Sequence, residues 1–287
     1  MTVRIITDSA CDLPKNIIDE YNIRVIPILV YLENIEYLDG ETLNPVDLYN
    51  NMRNGKVYKT AQIPPATFKE VFLEYANKNE SVIYVAFSSG LSGTYQSALM
   101  AKNEVLEEYP DFDLEVIDTK CASVGFGLVV YKAAQMAKEG KSKEEIINAI
   151  NFYSQHMEHV FTVDDLEYLY RGGRVSRTAA FVGSLLNIKP ILDVEDGKLV
   201  PIEKVRGRKK VLKRMIEIME ERGVDLSNQV IGINHGDDLE GAKKLEDMIR
   251  ERFGCKEFIV NIVGCAIGAH SGPGTLSVFF LNEKPPM

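Results

Sequence analysis

The chain has 287 residues, 45% of them hydrophobic and 26% charged, a balance that fits a globular protein and excludes disordered, collagen-like and membrane-spanning classes. A formal net charge of −9 excludes a general affinity for nucleic acid, because counter-ion release needs a basic surface. At this length two lobes of unequal size are expected.

Val3 to Thr7 reads as a first strand and turns polar at Thr7-Asp8. It lacks the charged start and long apolar stretch of a signal peptide, and no apolar run is long enough to cross a bilayer. A cytoplasmic protein is therefore expected. Asp12, just ahead of Pro14, marks a helix start, and Ile23 to Val30 reads as the next strand. Val82 to Phe87 is continuously apolar over strand length, which suits a strand buried on both faces. A helix follows, with Tyr95, Ala98, Leu99, Lys102, Val105 and Leu106 on one face, Lys102 being the single polar exception. Leu114 to Ile117 is another strand, and helical patterns occupy Gly125 to Lys138 and Ser142 to Tyr153. Ser142 with Glu145 forms the signature of a capping box at the second of these.

From about His159 the rhythm changes, and we expect a boundary near residue 156. Residues 1–156 form an N-terminal α/β lobe with a mostly parallel sheet and flanking helices. Residues 157–287 form a C-terminal α/β lobe with antiparallel pairing, signalled by Asp196-Gly197 between two apolar strands. The ligand site is expected between them. A helix runs to about Arg222, with Val211, Leu212, Met215, Ile216 and Met219 on its apolar face.

Chemistry is concentrated in loops. Ser88-Ser89-Gly90-Leu91-Ser92-Gly93-Thr94 lies between a buried strand and a helix, where backbone N–H groups, hydroxyls and the helix dipole favour a phosphate or carboxylate. An ordinary serine-rich helix cap explains the same residues equally well. A hydrolase elbow does not fit, because Thr94 stands where G-x-S-x-G needs glycine. His270-Ser271-Gly272-Pro273-Gly274 is a second Gly-rich turn whose imidazole is either an anion contact or a structural hydrogen bonder. Arg171-Gly172-Gly173-Arg174-Val175-Ser176 suits carboxylate recognition or a tight turn. Arg206, Arg208 and Lys209 crowd a helix N-terminus, where cations oppose the dipole, and so point to an acidic partner or phosphate. His235 is expected to be structural. Asp8, Asp12, Asp118 and Asp164-Asp165 make no recognisable acid/base or metal pair and read as solvated loops or caps. Cys11, Cys121, Cys255 and Cys265 show no C-x-x-C spacing, so they read as small buried hydrophobes in a reducing compartment rather than as a zinc site. No dinucleotide or P-loop motif is present.

Taken in order, Thr7-Asp8-Ser9 with Asp12-Leu13, Thr60-Ala61-Gln62, Ser88 to Thr94, Asp118-Thr119, Arg171 to Ser176, Lys189-Pro190-Ile191-Leu192 and His270 to Gly274 resemble the DegV family of bacterial fatty-acid-binding proteins, nearly end to end. The resemblance implies a two-lobed α/β carrier that buries one long-chain fatty acid and presents it to a separate fatty-acid kinase, without a cofactor or metal and without catalysis of its own. Carried over by motif, Thr60 and Ser92 contact the carboxylate, with His270 and Arg171 in the supporting network. Ser88, Ser89, Gly90, Gly93, Thr94, Gly272 and Gly274 shape the loops, and Arg206, Arg208 and Lys209 face the kinase. Ala61 departs from the family's usual serine and removes one hydroxyl. A monomer is expected, and transient contact with a membrane surface is compatible with such a cargo. Two other readings stand beside the carrier: a phosphotransferase or hydrolase using Ser92 or His270, and a lipid-sensing regulatory module.

Overall fold

The computed structural model describes residues 3–176 and 188–286. The chain begins with β1 (Arg4–Asp8), a 3-10 turn (Ser9–Cys11), α1 (Lys15–Glu20), β2 (Arg24–Ile26), β3 (Leu29–Leu32) and β4 (Ile35–Leu38). It continues through α2 (Pro45–Arg53), β5 (Tyr58–Ala61), α3 (Pro65–Ala76), β6 (Val82–Ala86), α4 (Thr94–Glu108) and β7 (Leu114–Asp118). Two long helices, α5 (Ser123–Lys138) and α6 (Lys143–His156), lead to β8 (Met157–Thr162), α7 (Leu166–Arg171), β9 (Ile188–Glu195) and β10 (Lys198–Arg206). The remaining elements are α8 (Arg208–Arg222), β11 (Val230–His235), α9 (Leu239–Phe253), β12 (Glu257–Ile262), α10 (Cys265–Ser271) and β13 (Leu276–Leu281).

The strands form three sheets. A four-stranded parallel sheet has the order β2-β1-β6-β7, and a six-stranded sheet runs β10-β9-β8-β13-β11-β12. In the larger sheet only β11 and β12 are parallel; the other neighbours are antiparallel. The mixed α/β class, parallel first and antiparallel-rich later, is thus as expected. β6 is buried along its whole length, as its unbroken apolar run predicts. Ser142 and Glu145 form the capping box of α6. Asp196 and Gly197 take φ of 45° and 76°, the left-handed pair that closes a two-residue hairpin between β9 and β10.

Two expectations needed revision. The apolar run from Ile23 to Val30 is not one strand: Pro27, which has no N–H to donate, interrupts it. β2 stays beside β1, while β3 turns into a third, antiparallel sheet of order β4-β3-β5. Asp12 does not start a helix either; it closes the 3-10 turn at φ 49°, and α1 begins after Pro14.

All the strands of the larger sheet begin at Met157 or later, yet the cores interlock. The main apolar cluster, built on β6 and α5, takes in Ile259, Ala266, Phe279 and Leu281 from the C-terminal part. The small sheet buries Val30 and Tyr58, with Tyr49 of α2, against Val263, Cys265 and Ala269. α10 is thereby seated in the N-terminal half. Among the described residues no helix is long and apolar enough to cross a membrane. The cysteines are buried and unpaired.

Candidate functional site

The three sheets surround a cavity of about 410 Å³, within the size range of small-molecule sites. Phe87, Leu91, Leu199, Ile267 and Phe279 contribute apolar walls, and Thr60, Ser92, Arg174 and His270 converge as polar groups at its lining.

Each polar group arrives on a different element. Thr60 lies near the end of β5, held in register by Val30 of β3. Ser92 follows β6 in the loop that opens α4, and His270 occupies the last turn of α10. Thr60 Oγ1 and His270 Nε2 are 2.6 Å apart. Burial, with the Arg174 charge beside it, holds the imidazole down at about 4, so it is neutral at pH 7 and offers one donor and one acceptor nitrogen. The Ser92 hydroxyl accepts from the Thr94 N–H at 3.2 Å and shares a hydrogen bond with Thr94 Oγ1 at 2.9 Å. Gly93, the N-cap of α4, has no side chain to close the helix end, and Gln62 Oε1 occupies the space a β-carbon there would need. Gln62 is oriented by donating to Ser97 Oγ at 2.8 Å.

Arg174 is the cation of the site. Its Nε and Nη2 donate to the Leu91 carbonyl at 3.2 and 3.1 Å, and Nη1 to the carbonyl of Gly172. Burial lowers its pKa, and no carboxylate of the described residues pairs with it. A half-buried guanidinium that meets only carbonyls retains an uncompensated charge facing the cavity, which favours an anionic occupant.

The structure therefore corrects the choice of Arg171. That residue is exposed on α7, pairs with Glu167 at 3.1 Å and lies 5.6 Å over the Tyr168 ring, outside the cavity lining. α7 buries Leu166 and Leu169, so helical rotation turns position 171 to solvent. The Gly172-Gly173 turn then brings the chain back with Arg174 inward. The paired arginines of the motif were the signal, but spacing alone does not say which of them faces in.

The supporting loops have divided roles. Ser88 Oγ donates to the Gly197 carbonyl at 2.7 Å and accepts from the Gly90 N–H at 3.1 Å, tying the loop to the β9–β10 turn. Ser89 instead faces Asp118 and Lys120, accepting from Lys120 Nζ at 2.8 Å. Gly272 and Gly274 take φ of 78° and 81°, and a β-carbon at Gly272 would strike the Tyr168 ring. Thr94 is fully buried and receives the Ile63 N–H at 3.4 Å. Arg208 is not a free docking cation: it pairs with Asp238 and donates to the Gly274 carbonyl at 3.1 Å, bracing the turn after His270. Arg206 and Lys209 are exposed. His235 is structural, its Nδ1 accepting from the Asp238 N–H at 3.1 Å.

Asp8 and Asp12 do cap the 3-10 turn, Asp8 at its start and Asp12 at its end, but neither is solvated. With Asp39 they are buried, and burial raises the pKa of all three: Asp8 to about 6, Asp12 well above the carboxylate range. Asp8 accepts from Tyr84 Oη at 2.7 Å and from the Phe87 and Ala10 N–H groups at 3.1 Å. Asp12 and Asp39 accept from the N–H groups of Gly264 at 2.9 Å and Cys265 at 2.7 Å, fastening the start of α10 to the N-terminal half. This cluster positions the helix that carries His270. No set of residues among those described could hold a metal ion.

A family model described as "Uncharacterised protein, DegV family" matches residues 2–283. The chain belongs to the DegV family. A DegV domain-containing protein of Clostridium perfringens is 45% identical over 282 residues, covering 97% of each chain. A solved DegV family protein from Thermus thermophilus, described as fatty acid binding, superposes with a TM-score of 0.90 at 29% identity, covering 99% of this chain and 100% of that one. A DegV protein from Eubacterium eligens, solved loaded with heptadecanoic acid, has a TM-score of 0.86 at 26% identity over 98% of this chain and 100% of its own. DegV proteins of known structure thus include fatty-acid binders, with the acid itself as ligand.

Proposed function

We propose that this DegV protein is a carrier for one long-chain fatty acid, held between an N-terminal lobe (residues 1–156) and a C-terminal lobe (157–287). Its carboxylate would be met by Thr60, Ser92, His270 and Arg174. The observation that carries this reading is the uncompensated Arg174 charge at an otherwise largely apolar cavity, beside a neutral imidazole. A carboxylate supplies the missing charge, and its alkyl chain takes the apolar walls. Burying about fifteen methylenes at about 0.8 kcal/mol each gives a gross term of about 12 kcal/mol before entropy and desolvation costs. A hydrogen bond to the charged head adds only about 1.5–3 kcal/mol. The tail accordingly sets affinity and the head sets orientation.

In this reading the protein presents its cargo to a separate cytoplasmic kinase that forms the acyl phosphate, and performs no chemistry itself. Arg206 and Lys209 are the exposed cations available to such a partner. An enzyme built on Ser92 and His270 has less support, because the Ser92 hydroxyl engages Thr94 while the imidazole engages Thr60.

Denaturing the purified protein, extracting with organic solvent and weighing the extract by mass spectrometry tests the proposal. One equivalent of fatty acid is expected. Thr60→Ala combined with Ser92→Ala should weaken fatty-acid retention more than either change alone; unaltered affinity in the double variant would remove both from the head site.

A further inference from the structure

Three elements mark where the cavity ends. On β13, Thr275, Ser277 and Phe279 face it, the period-two pattern of a strand. Thr275 Oγ1 donates to the carbonyls of Ser271 and Gly272 at 3.1 and 2.9 Å, so this end lies beside the turn that follows His270. Phe279 lies further along the strand, about 13 Å away at about 3.4 Å per residue. β8 sets Phe161 opposite Ser277, His159 opposite Phe279 and Met157 opposite Leu281, and directly opposed antiparallel residues share a face of the sheet. The first two pairs line the cavity, whereas Met157 and Leu281 line a second cavity of about 350 Å³. α5 repeats the order: Ala122 and Ser123 at its start border the first cavity, and Leu128, Tyr131 and Gln135 further along border the second. Phe279 and His159 thus form the partition between two spaces.

The partition is tightly built. Its two rings meet edge to face, with centroids 5.4 Å apart. α5 closes over them at Gly125, where a β-carbon would stand 2.6 Å from the Phe279 ring and 2.7 Å from His159 Nε2. On the other flank Phe279 is paired with Gly232 of β11, where a β-carbon would lie 3.2 Å from that of Phe279. Close packing on both flanks holds the ring in place. His159 adds no free polar atom: Nε2 accepts from the Ala122 N–H at 3.1 Å, and Nδ1 donates to the Met157 carbonyl at 3.0 Å. Burial holds its imidazole down at about 4, so it is neutral at pH 7. A neutral ring with both nitrogens engaged meets an alkyl chain as an apolar surface.

Resting on the fatty-acid reading above, we infer that Phe279, backed by His159, is the specificity residue that sets the longest saturated acyl chain the cavity accepts. Each methylene buried short of this floor strengthens binding about fourfold. A longer chain must displace the ring or leave carbons in water, and gains nothing. Removing the ring joins the two cavities and gives the tail room beyond the floor. Delipidated full-length protein is challenged with straight-chain saturated acids from lauric to behenic, each competing with a fluorescent fatty acid. In the native chain the gain per methylene is expected to stop at one member of the series. In Phe279→Ala the gain should continue past that break, so that an acid two methylenes longer improves about tenfold relative to the break member. Phe279→Leu, a smaller loss of packing, should move the break the same way by less, and lauric acid binding certifies the fold of either variant. If the break stays at the same acid in a folded variant, or the native series shows no break, the inference fails with the fatty-acid reading intact. If no acid binds the native chain, the fatty-acid reading fails and takes this inference with it.

Discussion

Arg174 directs its guanidinium donors at the carbonyls of Leu91 and Gly172, and its charge is felt by His270, whose pKa burial and that charge together hold at about 4. Replacing Arg174 by Met removes the repulsion and leaves the burial. The His270 titration, followed by NMR, should therefore rise part of the way from about 4 toward 6.5; an unmoved titration would show that the two groups do not interact. A bound carboxylate acts in the same direction in the native chain, because a neighbouring anion favours imidazolium. Between pH 6.5 and about 4 the unfolded chain takes up a proton at position 270 that the folded chain refuses. Stability from this site is therefore full above that window and is withdrawn as pH falls through it.

The β9–β10 hairpin places Val194 and Leu199 in the cavity wall on either side of its turn, and the turn is fastened to the N-terminal loop by the hydrogen bond from Ser88 to Gly197 at 2.7 Å. Loss of that bond in Ser88→Ala should lower unfolding free energy by about 1 kcal/mol and accelerate release of bound fatty acid. Stopped-flow transfer to acceptor vesicles measures the second effect. Release at the native rate would mean that the hairpin tip does not limit exit. The hairpin itself is legible in Asp196-Gly197, but its contact with Ser88 joins residues 109 positions apart, and no local pattern announces it.

The two halves share apolar cores and a buried polar junction. Asp12 receives the Gly264 N–H and a hydrogen bond from Asn234, and its own carbonyl accepts from Asn261 Nδ2 at 2.8 Å. Residues 1–156 expressed alone lose Ala266, Phe279 and Leu281 from their core, as well as these partners. The fragment should show no cooperative urea transition, whereas the full chain unfolds in one, reported alike by probes in both halves. A cooperative fragment would show instead that the lobes fold independently. Asp12→Ala leaves several buried groups unpaired and should cost about 3 kcal/mol or more by the same urea measurement.

Periodicity and capping in the chain itself were enough for the α/β class, the buried strand β6, the helix starting after Ser142, the β9–β10 turn and the polar loops at Ser92 and His270. These features depend on neighbours within one or two turns of helix or along a single strand. Only the tertiary structure decided that Pro27 divides one apolar run between two sheets, that Arg174 rather than Arg171 faces inward, and that Asp12 is buried beneath α10. Each of those outcomes depends on which distant surface packs against a residue, as with the 252 positions separating Asp12 from Gly264. Hydrophobic pattern records the need for burial, but not the partner that provides it.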